Sequence, residues 1–157
     1  MSARVLLNRL VAFIGAYHLA IGAGLMFSVP FQRFAVDAYG ASFDWTVRDT
    51  YYIRIIGSFV VVLGSMAIVA SRDALRHWPF VLCYVEFFVL RDISRHLFSQ
   101  ELYDGFAVAP WMNVMTSVVF GVQAVALAVL VWLARREETS ASEAGATRTR
   151  IPIQRIR

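Results

Sequence analysis

Four ionisable side chains crowd the end of a hydrophobic segment. In FFVLRDISRHLF, residues 87–98, Arg91, Asp92, Arg95 and His96 follow an apolar run without any break in the helical pattern. At about 100° per residue, Arg95 falls roughly 40° from Arg91, Asp92 roughly 100° and His96 roughly 140°. The four share one broad face. Glu86, at roughly 220°, stands on the other side of the same helix. Arg91 with Arg95, and Asp92 with His96, are i,i+4 neighbours. These types in this pattern suit ion pairing between helices, a small-ligand site, or contact with another membrane subunit. Snorkelling of Arg95 and His96 to lipid headgroups is the competing architectural reading.

Other polar residues interrupt apolar sequence elsewhere: His18, Arg54, Asn113 and Gln123. An Arg or Asp in hydrocarbon is costly, so such groups are expected to face inward and pair. An Arg54–Asp92 ion pair is the first expectation. Glu86 is expected to act as a polar link across the helices or a proton-carrying group, with Gln123 as its partner.

Familiar chemistries are mostly excluded. The three histidines, His18, His77 and His96, fall at different helix depths, which argues against a haem held by two of them. Asp92 and His96 have the spacing for a metal but lack further ligands. The lone Cys83 allows neither a disulfide framework nor a cysteine metal motif within one chain. Phosphate loops, nucleophile elbows and zinc motifs are missing. No catalytic residue, metal or cofactor is assigned.

The elements that must position these residues are long and apolar. The 157 residues are 59% hydrophobic, with mean hydropathy +0.59. The apolar residues fall in blocks at 10–29, 55–70, 78–90 and 114–134. A bilayer core needs about 20 apolar residues of helix. The blocks therefore predict an all-α integral membrane four-helix bundle, with helices over about 5–27, 45–71, 78–98 and 110–135. A signal peptide at the start is an alternative, but its apolar run is long for that role. Aromatic residues between 31 and 52 are expected to lie along the outer membrane surface. From Glu137 the composition turns small, polar and then basic, so 137–157 is expected to be a disordered cytoplasmic tail.

Net charge is +4, and all fifteen basic residues are Arg. They sit beside apolar helices and in the tail, so anionic lipid is a simpler partner than nucleic acid. Arg4, Arg9, Arg72, Arg76, Arg135 and Arg136 mark one side as cytoplasmic, with both termini there. If the third helix enters from that side near Pro79, Arg91 lies ~18 Å in. Arg54, Arg91, Asp92, Arg95 and Asn113 then line an expected polar cavity in the outer half, with His18 at its floor. Helix packing is expected at small residues. The candidates are Ala12, Ala16, Ala20 and Gly24 in the first helix, Gly57 and Gly64 in the second, and Ser117 and Gly121 in the fourth.

The stretches YYIRIIGSFVVVLGS and APWMNVMTSVVFGVQ resemble the small bacterial membrane proteins grouped as BphX-like and DoxX-like. Arg54 and Gly57 match as motif positions. The resemblance implies a four-helix bundle in a bacterial plasma membrane and no transferable catalytic residue. Three functions follow as expectations. The first is a non-enzymatic accessory or small-ligand-binding protein for a quinone-like or aromatic molecule. The second is a membrane subunit of a redox enzyme. The third is a transporter, which would need a homodimer to form two alternating halves.

Overall fold

The computed structural model describes residues 2–148, with side chains through residue 142. Among them the chain is all-helical. It forms α1 (Ala3–Phe27), α2 (Val29–Ala38), α3 (Val47–Ser71), α4 (Trp78–Leu97), α5 (Ser99–Phe106) and α6 (Pro110–Arg148). Local chemistry explains most boundaries. Ser28 ends α1 and caps α2, its hydroxyl accepting from Phe31 N at 3.3 Å. α3 begins at a capping box. Thr46 Oγ1 accepts from Asp49 N, and Asp49 Oδ2 accepts from Thr46 N. Pro79 and Pro110 stand in the first turns of α4 and α6, where a missing N–H costs nothing.

Two connections hold more structure than their sequence suggested. The aromatic stretch after α1 opens with the amphipathic helix α2. The link between α4 and α6 holds α5, where Gln100 Nε2 donates to Asp104 Oδ2 at 2.8 Å, one helical turn on. α6 also runs past the expected end at Arg135, through the first part of the supposed disordered tail, to Arg148. Glu, Ala and Arg, all good helix formers, make up eight of the thirteen residues 136–148 of that extension. Residues 149–157 of the expected tail lie outside the described residues.

Three helices are long and apolar enough to cross a membrane: α1, α3 and the Pro110–Ser142 part of α6. α4 does not join them on composition, because it carries Glu86, Arg91, Asp92 and Arg95. α1 packs most extensively on α3. α6 packs on α1 and α4. α4 reaches α3 through Tyr84, whose hydroxyl donates to Leu63 O. Ile14, Ala67, Val81, Tyr84 and Leu127 bring all four long helices into one buried core.

The α1–α3 contact is made at glycines seven residues apart on both antiparallel helices. A Cβ at Gly22 would stand 2.6 Å from Val61 N, and one at Gly64 would stand 2.6 Å from Leu19 N. Gly15 and Gly57 are as tightly opposed to backbone. The expected stripe is not the one used. Ala16 and Ala20 are exposed, because they lie on the outward side of α1. On α6, Gly121 meets nothing within 4 Å.

The molecule thus has two distinct ends. One gathers the start of α1, the α3–α4 turn and the later part of α6. There Arg4 pairs with Asp73 at 3.0 Å, and Ala3 N donates to the Glu137 carboxylate at 3.2 Å. Ala74 N donates to Asn8 Oδ1 at 3.0 Å. The other end carries α2, the start of α3, the end of α4, α5 and the start of α6.

Candidate functional site

The polar residues of interest converge at the α2/α5 end, but not in the expected arrangement. Arg95 is the centre. It is 7% exposed and shares the inward face of α4 with Val81, Tyr84 and Phe88. Its guanidinium lies over the Tyr39 ring, 5.0 Å from the centroid. Gln32, Val36 and Tyr39 recur at i, i+4 and i+7, so one face of α2 and its C-terminal turn meets the bundle. Gln32 and Val36 on that face are buried.

α5 brings Tyr103 to the same place. Tyr103 is within electrostatic reach of Arg95. Its hydroxyl accepts from Asn113 Nδ2 at 3.2 Å. Asn113 is 4% exposed in the first turn of α6. Gly40, which follows Tyr39, stands beside Met112, so the α2 turn also touches the start of α6. Arg95, Tyr39, Tyr103 and Asn113 therefore form one cluster drawn from α4, α2, α5 and α6.

The cluster is incompletely paired. Arg95 Nε and Nη2, Asn113 Oδ1, Asp92 Oδ1, Ser117 Oγ and Gln32 Oε1 are buried without a hydrogen-bond partner among the described residues. A buried polar group without a partner costs about 1–3 kcal/mol, and an unpaired charge costs more. Nε and Nη2 form the side-on edge of a guanidinium, two parallel donors spaced for two oxygens.

The segments around the cluster are held together at their tips. Ser42 N donates to Phe106 O at 2.8 Å, and the rings of Phe43 and Phe106 lie 5.5 Å apart. Trp45 and Ala107 flank this contact with φ of 54° and 52°. Such backbone costs on the order of 1 kcal/mol for a residue other than glycine.

The remaining candidates fall outside this centre. No ion pair joins Arg54 to Asp92 among the described residues. Arg54 is exposed, on the side of α3 turned away from α4. Asp92 is instead approached by its own helix neighbour His96, with Nδ1 3.8 Å from Oδ1 and 2.9 Å from the Asp92 carbonyl oxygen. Arg91 keeps an exposed surface while its guanidinium lies over Phe120, 5.1 Å from the centroid.

His18 is 9% exposed and sits against the rings of Tyr17, Tyr84 and Phe88. Its Nδ1 lies 2.8 Å from Ile14 O. Its aromatic surroundings mark it as packed core, with Arg91 as the nearest cation in electrostatic reach. Glu86 is exposed and unpartnered, opposite the buried face of α4, so it makes no link to Gln123 among the described residues. Among those residues no cluster of His, Cys, Asp and Glu could hold a metal ion.

The packing defect lined by Val11, Ile14, Ala67, Val81, Tyr84 and Leu127 is apolar, about 10 Å³, and lies toward the opposite end. That is about one water probe, with no polar group to hold the water. At the Arg95 end the polar atoms are covered by Tyr39, α5 and the start of α6.

Sequence reasoning missed Tyr39, Tyr103 and Gln32. Tyr39 read as one of the interface aromatics of 31–52, and Tyr103 carried no reading of its own. Their recoverable signals were the i,i+7 relation of Gln32 and Tyr39 and the ten-residue separation of Tyr103 from Asn113. The chain matches no protein-family model, no curated protein and no solved structure.

Proposed function

We propose that the protein is an integral membrane four-helix bundle, with α1, α3, α4 and α6 as its spans, that binds a small molecule without transforming it. The site is the Arg95–Tyr39–Tyr103–Asn113 cluster. The observation that carries this reading is Arg95, a buried guanidinium with two donors unused. A group so costly to bury is retained where a ligand can complete it. The tyrosine faces around it suit a ligand with an aromatic or quinone-like body.

α4 is assigned as a span despite its charges, because Val81, Tyr84 and Phe88 on its inward face are buried, against α6, against His18 of α1 and, through Tyr84, against α3. The basic residues Arg4, Arg9, Arg72, Arg76, Arg135 and Arg136 gather at the other end and favour it as cytoplasmic. The ligand site then faces outward. A bacterial plasma membrane is the setting that the BphX-like and DoxX-like resemblance suggests.

Native mass spectrometry of the protein released from its own membrane in mild detergent tests this. The expected spectrum carries a reproducible small adduct that disappears in Arg95→Ala. A bare chain in both would refute the binding role. A second reading, as a membrane subunit of a larger complex, is favoured by Glu86. Its carboxylate projects from the outward face of α4 among Leu82, Cys83, Val89 and Leu90, all exposed. A second protein chain in the spectrum, with no small adduct, would establish that reading instead.

A further inference from the structure

We infer that the ligand of the Arg95 site carries a two-oxygen anionic group, a carboxylate or a phosphate, which docks side-on against Nε and Nη2. This rests on the ligand-binding reading and goes beyond it, since a quinone-like or aromatic body needs no charge. Three observations support it. Both donors of one guanidinium edge are buried and lack an acceptor, while the flat face of the same group is already taken by Tyr39 at 5.0 Å. That leaves the edge, and the edge is the geometry that carboxylate and phosphate oxygens match.

The second is that no carboxylate is paired to Arg95 among the described residues. Asp92, the acid one turn away on α4, stands about 60° around the helix from Arg95, with His96 Nδ1 3.8 Å from its Oδ1. Glu86 points the opposite way. The cationic centre is therefore left for an external anion.

The third is the company of the edge. Asn113 has spent its Nδ2 on Tyr103, which leaves the Tyr103 O–H free to donate. A neutral donor next to the guanidinium can serve one oxygen of the same anion. The tyrosine rings give an attached apolar or aromatic body its contact surface. The covering chain is fastened at its tips by Ser42–Phe106 and Phe43–Phe106.

Two sources share this chemistry: the headgroup of an anionic lipid and a soluble small anion. The full chain in phosphatidylcholine nanodiscs is titrated with benzoate and, separately, inorganic phosphate, each against chloride at equal ionic strength. Helix melting is followed by circular dichroism. A parallel sample uses phosphatidylglycerol nanodiscs with nothing added. Arg95→Met and Arg95→Lys are compared throughout.

The expected result is a rise in the wild-type melting temperature with the anion. Arg95→Met should show no rise, and Arg95→Lys should bind at least about tenfold more weakly, since an ammonium cannot make the side-on pair. Without anion, Arg95→Met should melt no lower than wild type, because the uncompensated charge is gone. A response to benzoate or phosphate identifies a soluble anion. A response confined to phosphatidylglycerol identifies the lipid headgroup.

A wild type indifferent to all three anions overturns the inference. So does an Arg95→Met variant that melts lower by the same amount with and without anion, which would make Arg95 an architectural partner of Tyr39. Neutral decylubiquinone separates the two levels. If it stabilises wild type but not Asn113→Ala while every anion fails, the site binds ligand and the anionic assignment alone falls. If it also fails, the binding role falls with it.

Discussion

At the scale of the residue, polar groups near the bundle differ in what they have left over. Tyr84 is fully committed, its hydroxyl joining α4 to Leu63 O of α3 across the centre of the bundle. Tyr84→Phe removes that link and little volume, and the fold should lose about 1 kcal/mol, as interhelical hydrogen bonds in membranes do. Unfolding in mixed maltoside and dodecyl sulfate micelles would measure this, and an unchanged midpoint would mean the hydroxyl contributes nothing. Arg95 is the opposite case, stacked on one face and open along one edge. Its burial was not separable in the sequence from snorkelling, because Arg91 and His96 share its broad face and keep exposed surfaces. Nor was its partner. Arg54 and Asp92 are opposite charges on adjacent helices, but pairing depends on the rotation of each helix about its axis. That rotation is set by where α3 presses glycine against α1, and it turns Arg54 outward.

At the scale of the element, the boundaries were the readable part, because caps and prolines are local. Ser28, Pro79 and Pro110 act within one turn, whatever the rest of the molecule does. The packing faces were harder to read. A helix with many small residues offers several stripes, and α1 has both Ala12–Ala16–Ala20–Gly24 and Gly15–Gly22. Spacing alone ranks the longer stripe first. The structure uses the shorter one because only glycine admits backbone at 2.6 Å, and Gly57 and Gly64 on α3 repeat at the same interval. Gly22→Ala and Gly64→Ala should each force the two backbones apart and cost roughly 1–3 kcal/mol. Gly121→Ala should be tolerated, since a methyl there meets nothing within 4 Å. Equal losses at all three positions, in the same micelle unfolding assay, would show that the tight α1–α3 seam does not hold the protein together.

At the scale of the whole molecule, the question is how many times the chain crosses the bilayer. Composition gives three candidates, and α4 is set apart by its charges. Packing argues for a fourth, because Val81, Tyr84 and Phe88 on its inward face are buried in the core shared with α1, α3 and α6. The two counts place residues 76 and 100 differently. In a chain with Cys83→Ser, Arg76→Cys should react with an impermeant maleimide only after the inner face is opened, and Gln100→Cys should react in intact cells. Labelling of both from the same side would remove α4 as a span. The overall class was legible because hydrocarbon imposes one length and one polarity on any helix that crosses it. The site was only partly legible. Half of it comes from α2 and α5, and their sequence reads as interface loop until the tyrosines are seen meeting Arg95.

The tight seam between α1 and α3 also bears on how such a chain is made. Glycine on both sides lets these two helices close on each other backbone to backbone, without side chains from α4 or α6. α4 carries its burden of charge beside them, yet the ring beneath Arg91, Phe120, and the cation over Trp78, Arg135, both belong to α6. Assembly is therefore expected to divide into an α1–α3 hairpin and an α4–α6 pair whose members enter together.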